Sequence, residues 1–280
     1  MWTLPVTEIE RLIAEDVPAG DLTTETLAIA DQPARMTFKA RGAMTVAGVE
    51  VAAQIVRSCG ADVLSHLNSG ARRAAGDVLL IAEGRAVALH KAWKASQTLT
   101  EILSGIATAA RAVVDAVETV NPDVRVACTR KTFPGARRLS QIAVRAGGAI
   151  LHRNGLSETI LVFPEHRVFL AGEPFAALAR RLKRAAPEKK IVIEVVSVDE
   201  ARKAIEAGFD AIQLEKFDLD DVGHVAAMAA KTENPPLVIA AGGINPDNAA
   251  AYVRAGAGLI VTSWPYTARP ADVKVILEVA

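Results

Sequence analysis

At 280 residues the chain is long enough for one barrel and a smaller domain, and its 51% hydrophobic and 23% charged content is that of a soluble globular protein. The 32 basic and 32 acidic side chains cancel, which excludes a net field that would gather nucleic acid; any anion site has to be local. Cys59 and Cys128 lie far apart in apolar surroundings without CxxC spacing, so buried free thiols are expected rather than zinc or a disulfide. No basic region followed by an apolar one opens the chain, and no apolar run reaches the length of a membrane span. The expectation is a cytoplasmic protein without a membrane segment.

In chain order, residues 7–16 place Ile9, Leu12 and Ile13 at helical spacing, with Thr7 as a candidate cap and Pro18-Ala19-Gly20 as the stop. Asp21-Leu22-Thr23-Thr24 reads as an exposed polar turn. Residues 35–46 read as a strand pair about Gly42, and 48–58 as a helix with Val49, Ala52, Ile55 and Val56 on one face, stopped by Gly60. Further strands are expected over 61–67 and 77–82. This mixed order without a repeating βα unit predicts an α+β layer domain. Residues 85–118 form a long alanine-rich helical stretch, interrupted at Ser104-Gly105 and linking the domains.

From Val124 onward short apolar runs alternate with helical segments. The runs VRVACT, TILVF, KIVIEVV, AIQLE, LVIAAGG and LIVTSW have the β-branched content of parallel strands buried on both faces, which predicts a βα barrel. A doubly wound sheet is the alternative, but neither GxGxxG nor GxxxxGK[ST] follows any strand.

A barrel gathers its chemistry at the carboxyl ends of its strands. Those ends carry Arg130-Lys131, then His152-Arg153 after a short apolar run, His166, Glu194 within IVIEVV, Glu215-Lys216, Gly242-Gly243 and Thr262-Ser263. Two cation pairs converging suit a carboxylate or phosphate. Glu194, a carboxylate in an apolar run, must face cations or a metal. Gly242-Gly243, just before a helix expected to begin near Asn245-Pro246, offers backbone N–H groups to a phosphate. Cations for an anion, carboxylates for a metal or a developing positive charge, and a glycine turn for phosphate describe phosphoryl-sugar chemistry.

The ordered motifs Gly20-Asp21-Leu22-Thr23-Thr24, Ser104-Gly105-Ile106-Ala107-Thr108, Thr129-Arg130-Lys131-Thr132 with Pro134-Gly135, Gly147-Gly148, His152-Arg153 with Gly155-Leu156, and Gly242-Gly243-Ile244 resemble the quinolinate phosphoribosyltransferase (nicotinate-nucleotide pyrophosphorylase) family. The resemblance implies an α/β fold: an N-terminal α/β sandwich domain over residues 1–108, completed by 268–280, and an incomplete α/β barrel over 109–267. It also implies a homodimer whose active sites draw residues from both subunits, and the reaction of phosphoribosyl pyrophosphate, with Mg²⁺, at an oxocarbenium-like ribosyl centre. Carried onto this chain, it implies catalytic roles for Lys131, Glu194 and Glu215, with Glu194 and Glu215 as metal ligands. Lys94, Arg130, His152, Arg153, Phe163, Gly242, Gly243 and Ser263 would bind substrates.

The chain departs from the family pattern on both sides of the site. Trp93-Lys94 stands where the family has Glu-Arg, and Phe163-Pro164-Glu165-His166 where it has Lys-Asp-Asn-His, so the clamp for quinolinate is incomplete. Leu214-Glu215-Lys216, Ala241-Gly242-Gly243 and Ile260-Val261-Thr262-Ser263 replace family motifs on the phosphate side. WK before SGIAT and FPEH after the HR strand are most like the ModD branch, associated with molybdenum transport. The expectation is transfer of phosphoribose to an anionic, aromatic acceptor. The alternatives are quinolinate itself as acceptor and a non-catalytic anion-binding protein linked to molybdate transport.

Overall fold

The computed structural model describes residues 2–280, which fall into two compact units. The first holds the chain up to Arg111 together with Phe133–Gly148 and Pro265–Ala280; the second holds Ala112–Thr132 and Ala149–Trp264.

The first unit runs through α1 (Val6–Asp16), α2 (Leu22–Thr26), β1 (Pro33–Ala40), β2 (Met44–Thr45), α3 (Val49–Ser58), β3 (Asp62–His66), β4 (Arg72–Arg73) and β5 (Val78–Arg85). The helix α4 (Ala86–Glu118) follows and passes into the second unit, and α5 (Arg137–Ala146) returns to the first. Its four-stranded antiparallel sheet has the order Val273–Val279, β1, β5, β3. Along β1 the alternate residues Ala34, Met36, Phe38 and Ala40 are buried, as period-two patterning requires. α3 packs on β3 and β5 with Val49, Ala52, Ile55 and Val56 inward, and α1 packs on α3.

Several local expectations are corrected. Residues 35–46 are not a hairpin, because β1 pairs with β5 and the C-terminal strand whereas β2 pairs with β4. α1 begins at Val6 after Pro5, so Thr7 lies within the helix and does not cap it. The polar turn is the start of α2: Asp21 caps it, accepting from the N–H groups of Thr23 and Thr24 at 3.1 Å, and Thr24 is buried. Nor does Ser104-Gly105 interrupt α4, which is continuous over 33 residues. Ser104 Oγ accepts from the Ala47 N–H at 3.0 Å and Thr108 Oγ1 from the Thr45 N–H at 2.9 Å. A Cβ on Gly105 would lie 2.2 Å from the Arg269 carbonyl oxygen. The SGIAT motif therefore serves packing: two hydroxyls tie β2 and the segment just after it to the helix, and one glycine admits the returning chain.

The second unit is a seven-stranded, wholly parallel sheet curled into an incomplete barrel. Its strands are β6 (Arg125–Cys128), β7 (Ile150–Leu151), β8 (Ile160–Val162), β9 (Ile191–Val195), β10 (Ala211–Glu215), β11 (Leu237–Ala241) and β12 (Leu259–Thr262), in the order β7-β6-β12-β11-β10-β9-β8. The six apolar runs read from the sequence are strands here, and β7 is the short run before His152-Arg153. Helices α6 (Pro164–Arg167), α7 (Phe175–Ala185), α8 (Val198–Ala207), α9 (Leu219–Ala229) and α10 (Ala249–Arg254) lie between the strands. One face of the sheet encloses a lumen of Ala127, Leu161, Val192, Ala211, Ile239, Ala241 and Val261, with Phe163 and Leu259 against them. The other buries Ile191, Ile193, Ile212, Leu214 and Ile260, which is why these strands read as continuous apolar runs. No helix among the described residues is long and apolar enough to cross a membrane.

Candidate active site

The second unit brings two walls of opposite chemistry to the strand ends of its lumen. β6 and β7 are neighbours, with Cys128 level with Leu151, so the residues that follow them leave side by side; the His152 N–H donates to the Cys128 carbonyl at 3.0 Å. Arg130 and Lys131 stand after one strand, His152 and Arg153 after the other. Arg153 is only 7% exposed, and no carboxylate pairs with it or with Arg130 or Lys131 among the described residues. Its guanidinium lies 5.8 Å from the centroid of the Phe163 ring, within cation–π range. β7 and β8 are the two edges of the sheet, so this contact between the residues that follow them marks where the curled sheet nearly closes.

Phe163 is held from the far side. Its N–H donates to His166 Nδ1 at 2.9 Å at the start of α6, and the two rings stack at 5.7 Å. α6 is itself fixed by Arg167, which grips Glu200 with both terminal nitrogens at 2.9 and 3.0 Å. Burial, reinforced by the charges of Arg153 and Arg130, pushes the His152 pKa down to about 4, so its imidazole is neutral at pH 7. Burial also lowers Arg153, with Arg130 adding to the effect, although a guanidinium stays charged. A buried cation without a counter-ion, crowded by a second, is the electrostatic signature of a site made for an anion.

The opposite wall is acidic. Glu194 on β9 and Gln213 on β10 are register partners, and Gln213 Nε2 donates to Glu194 Oε2 at 2.6 Å. Burial raises the Glu194 pKa; the amide hydrogen bond opposes this, repulsion from Glu215 and Glu165 adds to it, and the Lys131 charge lowers it. Lys131 is thus close enough to act on Glu194 across the mouth. Glu215 ends β10 with its Oε1 4.0 Å from Lys216 Nζ. Lys216 itself has a left-handed φ of 59°, and its N–H donates to the Ala241 carbonyl at 2.8 Å.

This arrangement explains Gly242. Its φ is 89°, and a Cβ there would lie 2.5 Å from Lys216 Cγ and 2.9 Å from Glu215 Oε1, so only glycine lets the end of β11 press against the end of β10. Gly243 has a φ of 72° with open space around it. The helix expected near Asn245-Pro246 starts instead at Ala249, after a turn in which Asn248 Oδ1 accepts from the Asn245 N–H and Asn245 Oδ1 from the Asp247 N–H, both at 2.9 Å. Those N–H groups are spoken for, and the anion site expected at this helix start reduces to the glycine turn. Thr262 Oγ1 donates to the Ile244 carbonyl at 2.7 Å and ties the end of β12, with half-buried Ser263, to that turn.

Arg130, Lys131, His152, Arg153, Phe163, Glu194, Glu215, Gly242, Gly243 and Ser263 all belong to this unit. Lys94 belongs to the first, exposed on α4 with its ammonium 4.3 Å from the centroid of the Trp93 ring. Gln213 was missed by sequence reasoning, although the signal that singled out Glu194, a polar residue inside an apolar strand, was present in AIQLE as well. Cys128 is buried, its thiol pushed up to about 12 by burial, and Cys59 is half-buried; both are free. No group of three or more His, Cys, Asp or Glu among the described residues could hold a metal ion. Glu194 and Glu215 are two carboxylates at one mouth, a donor set suited to an ion that takes its remaining ligands from water and substrate phosphates.

Comparison with known proteins fits both units. The family model for the N-terminal domain of quinolinate phosphoribosyl transferase matches residues 21–121, and that for its C-terminal domain residues 106–276. A Rhodobacter capsulatus protein named "Putative pyrophosphorylase ModD" is 46% identical over 91% of this chain and 98% of its own. The carboxylating nicotinate-nucleotide pyrophosphorylase of Mycobacterium leprae is 32% identical over 95% of this chain and 94% of its own. The solved nicotinate-nucleotide pyrophosphorylase of Francisella tularensis superposes with a TM-score of 0.89 over 98% of both chains at 21% identity, a likeness of fold.

Proposed function

This chain belongs to the quinolinate phosphoribosyltransferase family, and we propose that it transfers phosphoribose from phosphoribosyl pyrophosphate to an anionic, aromatic acceptor, as a ModD-type pyrophosphorylase. The observation that carries this reading is Arg153, buried without a counter-ion beside Arg130 and His152 and beneath the face of Phe163. Such a pocket takes one carboxylate or comparable oxyanion on the guanidinium and an aromatic ring against the phenyl group.

The acidic wall suits the other half of the reaction. As the bond from the anomeric carbon to pyrophosphate breaks and that to the acceptor forms, positive charge develops on the ribosyl group, and Glu194 and Glu215 supply fixed negative charge beside it. Lys131, whose charge reaches Glu194, would steady the leaving phosphates, and the Gly242-Gly243 turn would receive a phosphate. Mg²⁺ would be held by Glu194 and Glu215 together with the pyrophosphate oxygens, and when bound it would screen the leaving group's charge.

An anion receptor gains nothing from carboxylates beside its ligand, which favours catalysis over simple binding. Quinolinate is the second candidate acceptor, favoured by the relatives named nicotinate-nucleotide pyrophosphorylase. The test is turnover of labelled phosphoribosyl pyrophosphate with a panel of aromatic acids that includes quinolinate. Release of pyrophosphate that depends on an acceptor is expected, and no binding of the phosphosugar by calorimetry would overturn the reading.

A further inference from the structure

Gln213 is out of place in its surroundings. It is 5% exposed, and on its own strand its lumen-facing neighbour is Ala211, while its register partner on β11 is Ile239; both are buried in the apolar cluster. One end of its amide is used: Nε2 donates to Glu194 at 2.6 Å. The other is not, since Oε1 is buried and has no hydrogen-bond partner among the described residues. A buried amide oxygen without a partner is unfavourable, and an unbranched apolar side chain of the same length would fill this layer without that cost. A residue that fold stability alone would not select calls for a functional account.

We propose that Gln213 is the positioning residue of the acidic wall: its amide fixes the Glu194 carboxylate in one orientation at the mouth of the lumen. The choice of an amide has a physical reason. An arginine or lysine could hold Glu194 as firmly, but its charge would cancel the one the carboxylate has to present. A neutral amide donates one hydrogen bond and leaves the negative charge available to a cationic partner, whether a divalent ion or a positively charged ribosyl group. It also occupies one carboxylate oxygen and leaves the other to face the ligand. Glu215 has no such support, since its neighbour is the exposed Lys216 at 4.0 Å, so the two carboxylates differ in how rigidly they are held.

The kinetic part of this inference rests on the transferase reading, whereas the structural part does not. Gln213→Met keeps the length and removes both polar atoms, and Gln213→Leu serves as a second apolar variant. Removal of the partnerless oxygen offsets the lost hydrogen bond to half-buried Glu194, so the melting temperature should change little. In crystals grown at one pH, the Glu194 side chain should leave its wild-type rotamer or populate several. With phosphoribosyl pyrophosphate, kcat should fall roughly ten- to a hundredfold, with KM for the phosphosugar changed by less than about threefold. A structural role would give the opposite pattern, with stability lost and kcat kept, and would overturn the proposal. So would a Glu194 that holds its wild-type orientation in both variants. If the wild type turns over no phosphosugar with any acceptor, the transferase reading falls, and the crystallographic comparison still decides the role of Gln213.

Discussion

His152 is the residue on which the cationic wall can be read by pH. Burial and two guanidinium neighbours hold its pKa near 4 in the folded chain, against about 6.5 when unfolded. Above pH 6.5 neither state binds the proton and the perturbation has no effect on stability. Between pH 6.5 and 4 the unfolded chain binds a proton that the folded chain refuses, so stability falls as pH falls, by up to roughly 3 kcal/mol, and levels off below pH 4. Chemical denaturation from pH 7.5 to 4 should show this loss, and His152→Asn should remove it. An oxyanion bound against Arg130 and Arg153 reverses the electrostatics and raises the His152 pKa. Binding of an aromatic carboxylate near pH 5 should therefore take up protons, which calorimetry in buffers of different ionisation enthalpy reads directly.

Phe163 decides how much negative charge the same pocket accepts. It stands over Arg153 where the family pattern has a lysine, so a second carboxylate arriving there would lose water and gain no partner, at a cost of several kcal/mol. Phe163→Lys should raise kcat/KM for quinolinate relative to the wild type and lower it for singly charged aromatic acids. A wild type that already uses quinolinate on the order of once per second would show that a cation elsewhere compensates.

Among the elements, the ends of β10 and β11 meet at a strained residue. Lys216 occupies a left-handed conformation that costs a non-glycine residue roughly 1–2 kcal/mol, and Gly242 makes room for its stem. Lys216→Asn, a residue that tolerates this region, should raise the unfolding free energy by about 0.5–1 kcal/mol in denaturant titration. Gly242→Ala should lower it by about 1–3 kcal/mol and displace the Glu215 carboxylate.

The same elements show what the sequence made legible. The parallel strands stood out because a strand buried on both faces has only apolar residues to show, and Glu194 stood out against them for the same reason. Gly242-Gly243 could be seen as a turn, but its contact with Lys216 could not, since that depends on two strands being neighbours. The false break at Ser104-Gly105 has a similar origin. Serine and glycine disfavour a helix locally, and only the packing of Ala47 and Arg269 against them reveals why both are there. Asp21 reads as a turn residue because a five-residue helix carries too little periodicity to show in sequence, although its Asp-x-Thr-Thr order is that of a cap.

For the whole molecule, the placement of Lys94 leads to a prediction about assembly. The cationic and acidic walls are built entirely from the second unit, whereas Lys94 lies exposed on α4 in the first, its charge resting on Trp93 and its ammonium 3.5 Å from Gln97 Oε1. Resemblance to the family assigns that helix position a substrate contact made across a dimer, and an isologous dimer would carry Lys94 of each copy to the barrel mouth of the other. Light scattering should then give a dimer at micromolar concentration. The decisive measurement is complementation. Lys94→Ala removes the contact a chain lends, and Arg130→Ala disables the barrel it offers, so each homodimer should be inactive in acceptor-dependent turnover. In a verified heterodimer, one of the two sites joins an intact barrel to an intact Lys94, and activity should return there. A monomer in solution, or heterodimers as inactive as their parents, would mean that each barrel completes its site without the partner's helix.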